Sequence, residues 1–495
     1  MLSGPGNPLS FLVLAMVIPG AFLLFWRVPA KRAVIMTMMG GAMFLPCVIA
    51  FDLPLFPNFT KEILPGLGAL LACVALRRRE LKVPPFSGPE ALLLFAVLGA
   101  FGTVATNGDV IVHGPVVLPA QSPYDGLADA LEILLTWFPP YYLGRALFRT
   151  RADLRLLCRY MVFAGLIYTL FILVELRMSP QFHDWVYGFH QSDFSQTERW
   201  GGYRPKVFMR HGLNVAAFMT IVMLMMLGMW RAKVGLGFKK VLTPGPVFGY
   251  LLVILIFCKS TGAYFYALAL MPLIYFASTK VQRIGIGLFV CFILGYPMIR
   301  SADLIPVDAL TEIMAENIGE ERARSMWFRL FTEDQALDNI RGRPIFGWGG
   351  YFRPFEHDEI TGEALSIVDG HWLLEFGKHG LVGFFCIFGL VLWPVITAVR
   401  KMQRIENKSD RQLIATLAAC MALYVWDWVP NSTLSADLTF CCGALMGLVP
   451  GILDEQKRNK RAALKRQLTE RRSRTSIMPP EPTQKRARRP LPRRS

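Results

Sequence analysis

The chain has 495 residues, 53% of them hydrophobic and only 18% charged, with a mean hydropathy of +0.39. Soluble domains carry nearer a quarter charged residues, so a soluble enzyme is excluded and one polytopic membrane domain is expected. The formal net charge is +17, but residues 454–495 hold 15 Lys and Arg against four acids; the excess belongs to a Pro-studded tail that meets anionic lipid headgroups, not nucleic acid.

About 20 apolar residues cross some 30 Å of hydrocarbon. By that measure thirteen spans are expected, near residues 8–26, 33–51, 60–76, 89–106, 128–148, 153–176, 211–230, 245–259, 262–279, 284–299, 373–399, 411–429 and 435–453. The first has no basic flank or small-residue cleavage pattern, so it reads as a span and not a signal peptide. All nine cysteines fall in apolar segments, which leaves no disulfide framework or Cys-based metal site. The expected fold is therefore all-α: a polytopic transmembrane helical bundle of 12–13 spans over residues 1–453, followed by a basic, Pro-containing, disordered cytoplasmic tail over 454–495.

Cations set the orientation. Of the 53 Lys and Arg, 38 lie in alternate gaps or in the tail. Cytoplasmic loops hold such an excess, so the N-terminus is expected outside and the C-terminus inside. Two outer segments are too long for turns, residues 177–210 and 300–370. The second is expected to be a helical cap. Leu310, Ile313, Met314, Met326, Trp327, Leu330, Leu337 and Ile340 recur at three-four spacing after Pro306, and Arg341-Gly342-Arg343-Pro344 ends the pattern. All seven histidines and the other 15 cations fall on this outer side or at its edge. Either they await an anionic ligand, or they pair with local acids, as Arg329 would with Glu333 at i, i+4.

Three segments resemble one family. The first runs through Trp327-Phe328-Arg329-Leu330, Arg343-Pro344-Ile345-Phe346-Gly347-Trp348-Gly349-Gly350 and the stretch from Asp369-Gly370-His371-Trp372 to Gly383. The others are Gly202-Tyr203-Arg204-Pro205 with Arg210-His211-Gly212-Leu213-Asn214, and Lys259-Ser260-Thr261-Gly262-Ala263. Together they resemble the O-antigen ligases and polysaccharide polymerases over residues 200 to 400. The resemblance implies a bacterial cytoplasmic (inner) membrane enzyme that moves a glycan from a polyprenyl-diphosphate donor to a hydroxyl of a glycan or glycolipid acceptor on the outer face, a metal-independent inverting glycosyltransferase. Many ligases carry His-Asn where this chain has Asp369-Gly370-His371-Trp372, so either Asp369 or His371 occupies the position of the family's base.

The residue chemistry agrees with that implication. Transfer needs a base for the incoming hydroxyl and positive charge for the departing diphosphate, and arginine's fork matches phosphate oxygens. Arg204, Arg210, Lys259 and Arg329 are the candidate diphosphate ligands. His371 is a candidate base, because imidazole titrates near neutrality. Asp369 is either a base or the N-cap of the helix that begins near Trp372. His211, Trp348 and Trp372 are candidate glycan contacts; Gly347, Gly349 and Gly350 make a tight turn and not a phosphate loop. No outer acid and histidine cluster has ligand spacing, so no metal or cofactor is expected. The alternative is a non-catalytic transporter or flippase of lipid-linked glycans. Such transporters place acids near the bilayer midplane in repeated halves, whereas Glu132, Glu175 and Asp427 lie toward outer span ends here and no repeat is visible.

Overall fold

The computed structural model describes every residue except 1, 55, 83, 238–242, 351, 356, 359, 363–368 and 478–495. Helices dominate it: α1 (Pro8–Ala15), α2 (Val17–Arg27), α3 (Ala30–Phe44), α4 (Leu64–Arg77), α5 (Gly88–Ala105), α6 (Pro123–Leu147), α7 (Arg151–Met178), α8 (Phe182–Tyr187), α9 (Gly212–Arg231), α10 (Pro244–Phe257), α11 (Thr261–Tyr275), α12 (Thr279–Ser301), α13 (Val307–Ile318), α14 (Glu320–Ile340), α15 (His371–Lys401), α16 (Lys408–Asp427) and α17 (Ala436–Ile477). The described strands form three small antiparallel ribbons, β1 (Leu2–Ser3) with β2 (Ala50–Phe51), β3 (Ile111–His113) with β4 (Val116–Leu118), and β5 (Glu198–Arg199) with β6 (Gly202–Tyr203).

Among the described residues six helices are long and apolar enough to cross a membrane, namely α5, α7, α9, α12, α15 and α17, and the pair α1 and α2, bent by 40°, makes a seventh if counted as one span. Each of the thirteen expected stretches is at least partly helical. Stretch 33–51 is helical only to Phe44, because Pro46 disfavours helical backbone at the residue before it. At 15 residues, α3 is about 22 Å long, short of a full crossing. The 25-residue α6 carries Asp125, Asp129, Glu132 and Arg145 along its length.

The solvent for which this sequence is built shows in what is exposed. Leu94, Phe95, Leu98 and Phe101 of α5 and Ile284, Leu288 and Phe292 of α12 all lie on the surface, a pattern that hydrocarbon permits and water penalises. Helix α9 sits at the centre, with 83% of its apolar window buried. Helices α6 and α17 cross closely: a Cβ at Gly447 would meet the Arg145 and Phe148 carbonyl oxygens at 2.5 Å. Small residues at such crossings let backbones approach where no hydrophobic effect drives helices together.

Alternate loops gather at one end of the bundle. Lys31 pairs with Asp153 at 2.6 Å, Arg155 with Asp410 at 3.1 Å, and Arg77 donates to the Phe25 carbonyl. Arg159 reaches Gly235, and Gln403 reaches Thr279. The loop sets that the cation count assigns to one side thus share one end, and the remaining loops share the other.

At that second end the cap is two helices, not one, because Gly319 with φ 111° separates α13 from α14. Arg300, almost wholly buried, fastens α14 to α12 through Glu333 at 3.2 Å and Asp334 at 2.6 Å. Disorder was expected from residue 454, but α17 continues as helix to Ile477. Ala, Leu, Lys, Arg and Gln dominate that stretch and all favour helix. The Pro-bearing part of the tail, 478–495, lies outside the described residues, as do residues 363–368 of the cap loop and the side chain of Arg322.

Candidate functional site

The site is organised by a break in α15. Gly380 has φ 65° and ψ −161°, which interrupts the helix and frees backbone groups on both sides. The segment Pro344–Gly349 takes them up: Trp348 N donates to Gly377 O at 2.8 Å, Gly349 N to Lys378 O at 2.9 Å, Leu381 N to Pro344 O at 2.8 Å and Val382 N to Ile345 O at 3.1 Å. Gly347 has φ 72°, and a Cβ there would lie 2.6 Å from Gly380 N and the Lys378 carbonyl. Two glycine-rich motifs 30 residues apart are thus halves of one clasp. Arg353 locks it from outside, donating to Trp348 O, Asp109 O and Pro119 O.

The clasp fixes a buried charge cluster that the sequence reading did not assemble. His379 sits between two carboxylates, with Nδ1 2.9 Å from Glu375 Oε2 and Nε2 2.7 Å from Asp129 Oδ2 of α6. Lys378 Nζ is 2.5 Å from Asp129 Oδ1 and 3.4 Å from Glu132 Oε2. Asp129, Glu132 and Lys378 also line a cavity of about 450 Å³ with Asp125, Thr103 and Gln121. The only local sign in sequence was Glu375 and His379 at i, i+4; Asp129 is 250 positions away.

One turn before Glu375 on α15, His371 lines a second cavity of about 200 Å³ together with Arg210, Lys61, Glu62, Ser432 and Asp437. His371 is buried. Its Nδ1 lies 3.5 Å from Ser432 Oγ and its Nε2 3.7 Å from Glu375 Oε1, with no hydrogen-bond partner for Nε2 among the described residues. The loop that supplies Ser432 is held by Asp427, which accepts from Asn431 Nδ2 at 3.0 Å and Thr433 Oγ1 at 2.9 Å. The guanidinium of Arg210 is exposed and makes no hydrogen bond or ion pair with a described residue.

Several expected roles are corrected. Asp369 does not cap α15: the N-cap is Gly370 without a side-chain bond, and Asp369 is exposed and paired with Arg329 at 3.4 Å. Arg329 does not pair with Glu333, which Arg300 has taken; its other bond goes to Pro430 O. Trp372 is 0% exposed and donates to Glu333 Oε1 at 3.4 Å, so it packs the cap and has no face for a sugar. Trp348 is half-buried, donates to Asn339 O and is covered by Arg343 at 4.4 Å. Lys259 has φ 50° in the turn between α10 and α11, and its ammonium donates to Arg199 O at 2.8 Å.

A second cationic group lies where the chain enters α9. Glu175 of α7 accepts from the backbone N–H groups of Phe182, Lys206 and Val207 at 2.7–3.2 Å and so folds the 182–210 segment onto the bundle. That places Arg204, which is buried, and Lys206 beside His211. His211 caps α9, accepting from Leu213 N at Nδ1, with Nε2 3.0 Å from Gln196 Oε1. Burial first, then Arg204, Lys206, Arg199 and Arg329, push its imidazole down to about 3, so it is neutral at pH 7. Burial likewise lowers Lys206 to about 8 against the pull of Asp193 and Glu175.

Among the described residues no group of three or more His, Cys, Asp or Glu side chains is placed to hold a metal ion. No protein-family model and no curated protein matches the chain. The class the fold defines is a multi-pass, predominantly helical membrane protein.

Proposed function

We propose that the protein is a membrane glycan transferase resembling the O-antigen ligases and polymerases, moving a glycan from a polyprenyl-diphosphate donor to an acceptor hydroxyl. The observation that carries this reading is that Arg210, whose guanidinium has no hydrogen bond or ion pair with a described residue, shares one cavity with a buried imidazole, His371. A phosphate oxygen suits the first and a hydroxyl proton the second. In this reading Arg204 and Arg329 add to the field that receives the diphosphate, and Lys259 serves by holding the ribbon of β5 and β6 against the donor site. His371 is the base in preference to Asp369, whose carboxylate is already occupied by Arg329. The acceptor oxygen attacks the anomeric carbon from the side opposite the diphosphate, so configuration inverts.

The finer topology belongs to the same reading: 12–13 spans in a bacterial inner membrane, the cap end outside, and the basic end with its tail against anionic lipids in the cytoplasm. Cysteine labelling from outside should reach a probe at His357 and miss one at Arg404; the reverse pattern would place the site on the wrong face.

One observation favours transport instead, the chain of titratable side chains Asp129, His379 and Glu375 within helices, as proton-coupled carriers require. Purified protein in liposomes with a lipid-linked glycan and an acceptor separates the two readings. A new glycosidic bond and released lipid diphosphate support transfer. Movement of intact donor between leaflets without bond formation would overturn it in favour of the carrier.

A further inference from the structure

We infer that Glu375 is a positioning residue for His371, and that His379 and Asp129 hold Glu375 in place for that task. The inference rests on the reading of His371 as base. His371 and Glu375 stand one turn apart on α15, so their side chains share a face. Glu375 Oε1 is 3.7 Å from His371 Nε2, a buried nitrogen with no hydrogen-bond partner among the described residues. The other oxygen of Glu375 is fixed by His379 Nδ1 at 2.9 Å, and His379 is fixed in turn by Asp129 at 2.7 Å. Lys378 holds the remaining oxygen of Asp129. A chain of charge-assisted contacts therefore runs from α6 to the imidazole, anchored where the Gly347 and Gly380 clasp sets the backbone.

The opposite edge of the ring faces the cavity. Nδ1 points to Ser432 Oγ at 3.5 Å, beside Arg210. For Nδ1 to offer a lone pair to a hydroxyl, the hydrogen must reside on Nε2, and Glu375 is the acceptor that selects that tautomer. In the transfer step the acceptor O–H bond breaks and its proton passes to Nδ1. The oxygen electron pair forms the bond to the anomeric carbon, and the departing C–O pair leaves with the diphosphate. The imidazolium so formed lies against Glu375, and the 3.7 Å contact closes as that charge appears. The other charged groups around the ring are Lys61, Glu62, Arg210 and Asp437 on the cavity wall and His379 along the helix.

The test uses full-length protein in nanodiscs with a lipid-diphosphate glycan and its acceptor, comparing His371→Ala, Glu375→Gln and the double variant. Glu375→Gln keeps the side-chain shape and should cut kcat by about 10²–10³-fold with donor KM unchanged. The double variant should be no slower than His371→Ala alone, because the two residues act as a unit. Glu375→Asp, which keeps the charge but withdraws it by one methylene, should lose less kcat than the Gln variant, and it covers the case in which Glu375→Gln does not fold. Normal kcat in Glu375→Gln, in Glu375→Asp where only that one folds, or multiplicative losses in the double variant, overturn the inference while leaving the base assignment standing. Normal transfer by His371→Ala overturns the base assignment itself, and the inference with it.

Discussion

The two histidines that anchor the cap end, His379 and His211, sit in opposite electrostatic surroundings. Around His379 each charge meets its opposite at close range: Asp129 with Lys378 and His379, Glu375 with His379. Around His211 the cations Arg204, Lys206, Arg199 and Arg329 add up, while the nearby carboxylate of Glu175 is spent on backbone N–H groups. The first arrangement is what a membrane interior demands, since an uncompensated charge there is expensive. The second gathers cations of one sign around a single ring, next to Arg210, which makes no hydrogen bond or ion pair with a described residue.

The contrast implies that charge removal does different things in the two places. Asp129→Ala takes one of two carboxylate partners from the buried His379, which keeps Glu375, and from the half-buried Lys378, which keeps Glu132; removing one partner of a buried pair costs up to about 3–5 kcal/mol. A large drop in thermal midpoint of the detergent-solubilised protein is expected. An unchanged midpoint would mean the cluster is solvated and the comparison false. Arg210→Ala should do the reverse. It breaks no bond within the described residues, so stability should hold, while donor binding should weaken by about 10- to 150-fold, the worth of a charge-assisted contact of roughly 1.5–3 kcal/mol. Unchanged affinity for the lipid-diphosphate donor, measured by equilibrium binding, would remove Arg210 from the site.

Much of this was legible in sequence, and the failures share a cause. The helices followed from apolar length, and the shared cavity of Arg210 and His371 joins two segments that the sequence had singled out separately. Arg329 was matched with Glu333 because they are i, i+4 neighbours on one helix, yet Glu333 turns inward to Arg300 and Trp372 while Arg329 turns to Asp369. Helical spacing says which residues share a face, not which neighbouring element has already claimed one of them. Asp129 is the same lesson at longer range. It joins His379 only because α6 and α15 both pack against α5 and α17, and no local pattern encodes that. The break at Gly380 was hidden inside the expected span 373–399, where only its partner motif at Gly347 gives it a role.

A pH titration sharpens the comparison at His211. Its imidazole titrates near 3 in the fold against an ordinary value of 6.5. The folded state refuses a proton that the unfolded chain accepts, so this residue's contribution to stability is complete above pH 6.5 and is lost as pH falls from there toward 3. His211→Gln, which removes the titrating group, should flatten part of that loss in thermal scans between pH 7 and 4. Parallel curves for the two proteins would mean that burial and the cations together do not depress the ring.

The smallest effect is expected at the far end of the molecule. Beyond Lys457 the described side chains of α17 are exposed, and among them Lys460 makes the last contact back to the bundle, with Glu406. The helix there is held by its own propensity and not by packing, so removing it uncovers no apolar core. Truncation after Lys460 keeps the Glu406 contact, and the described residues it removes, 461–477, extend from the opposite end of the bundle to His371 and Arg210. Such a protein should insert, fold with an unchanged thermal midpoint and transfer glycan at the normal rate, with weaker binding to anionic vesicles as its one measurable change. Loss of transfer in a truncated protein that still inserts would tie the tail to the site across the membrane, and the division of labour between the two ends would have to be abandoned.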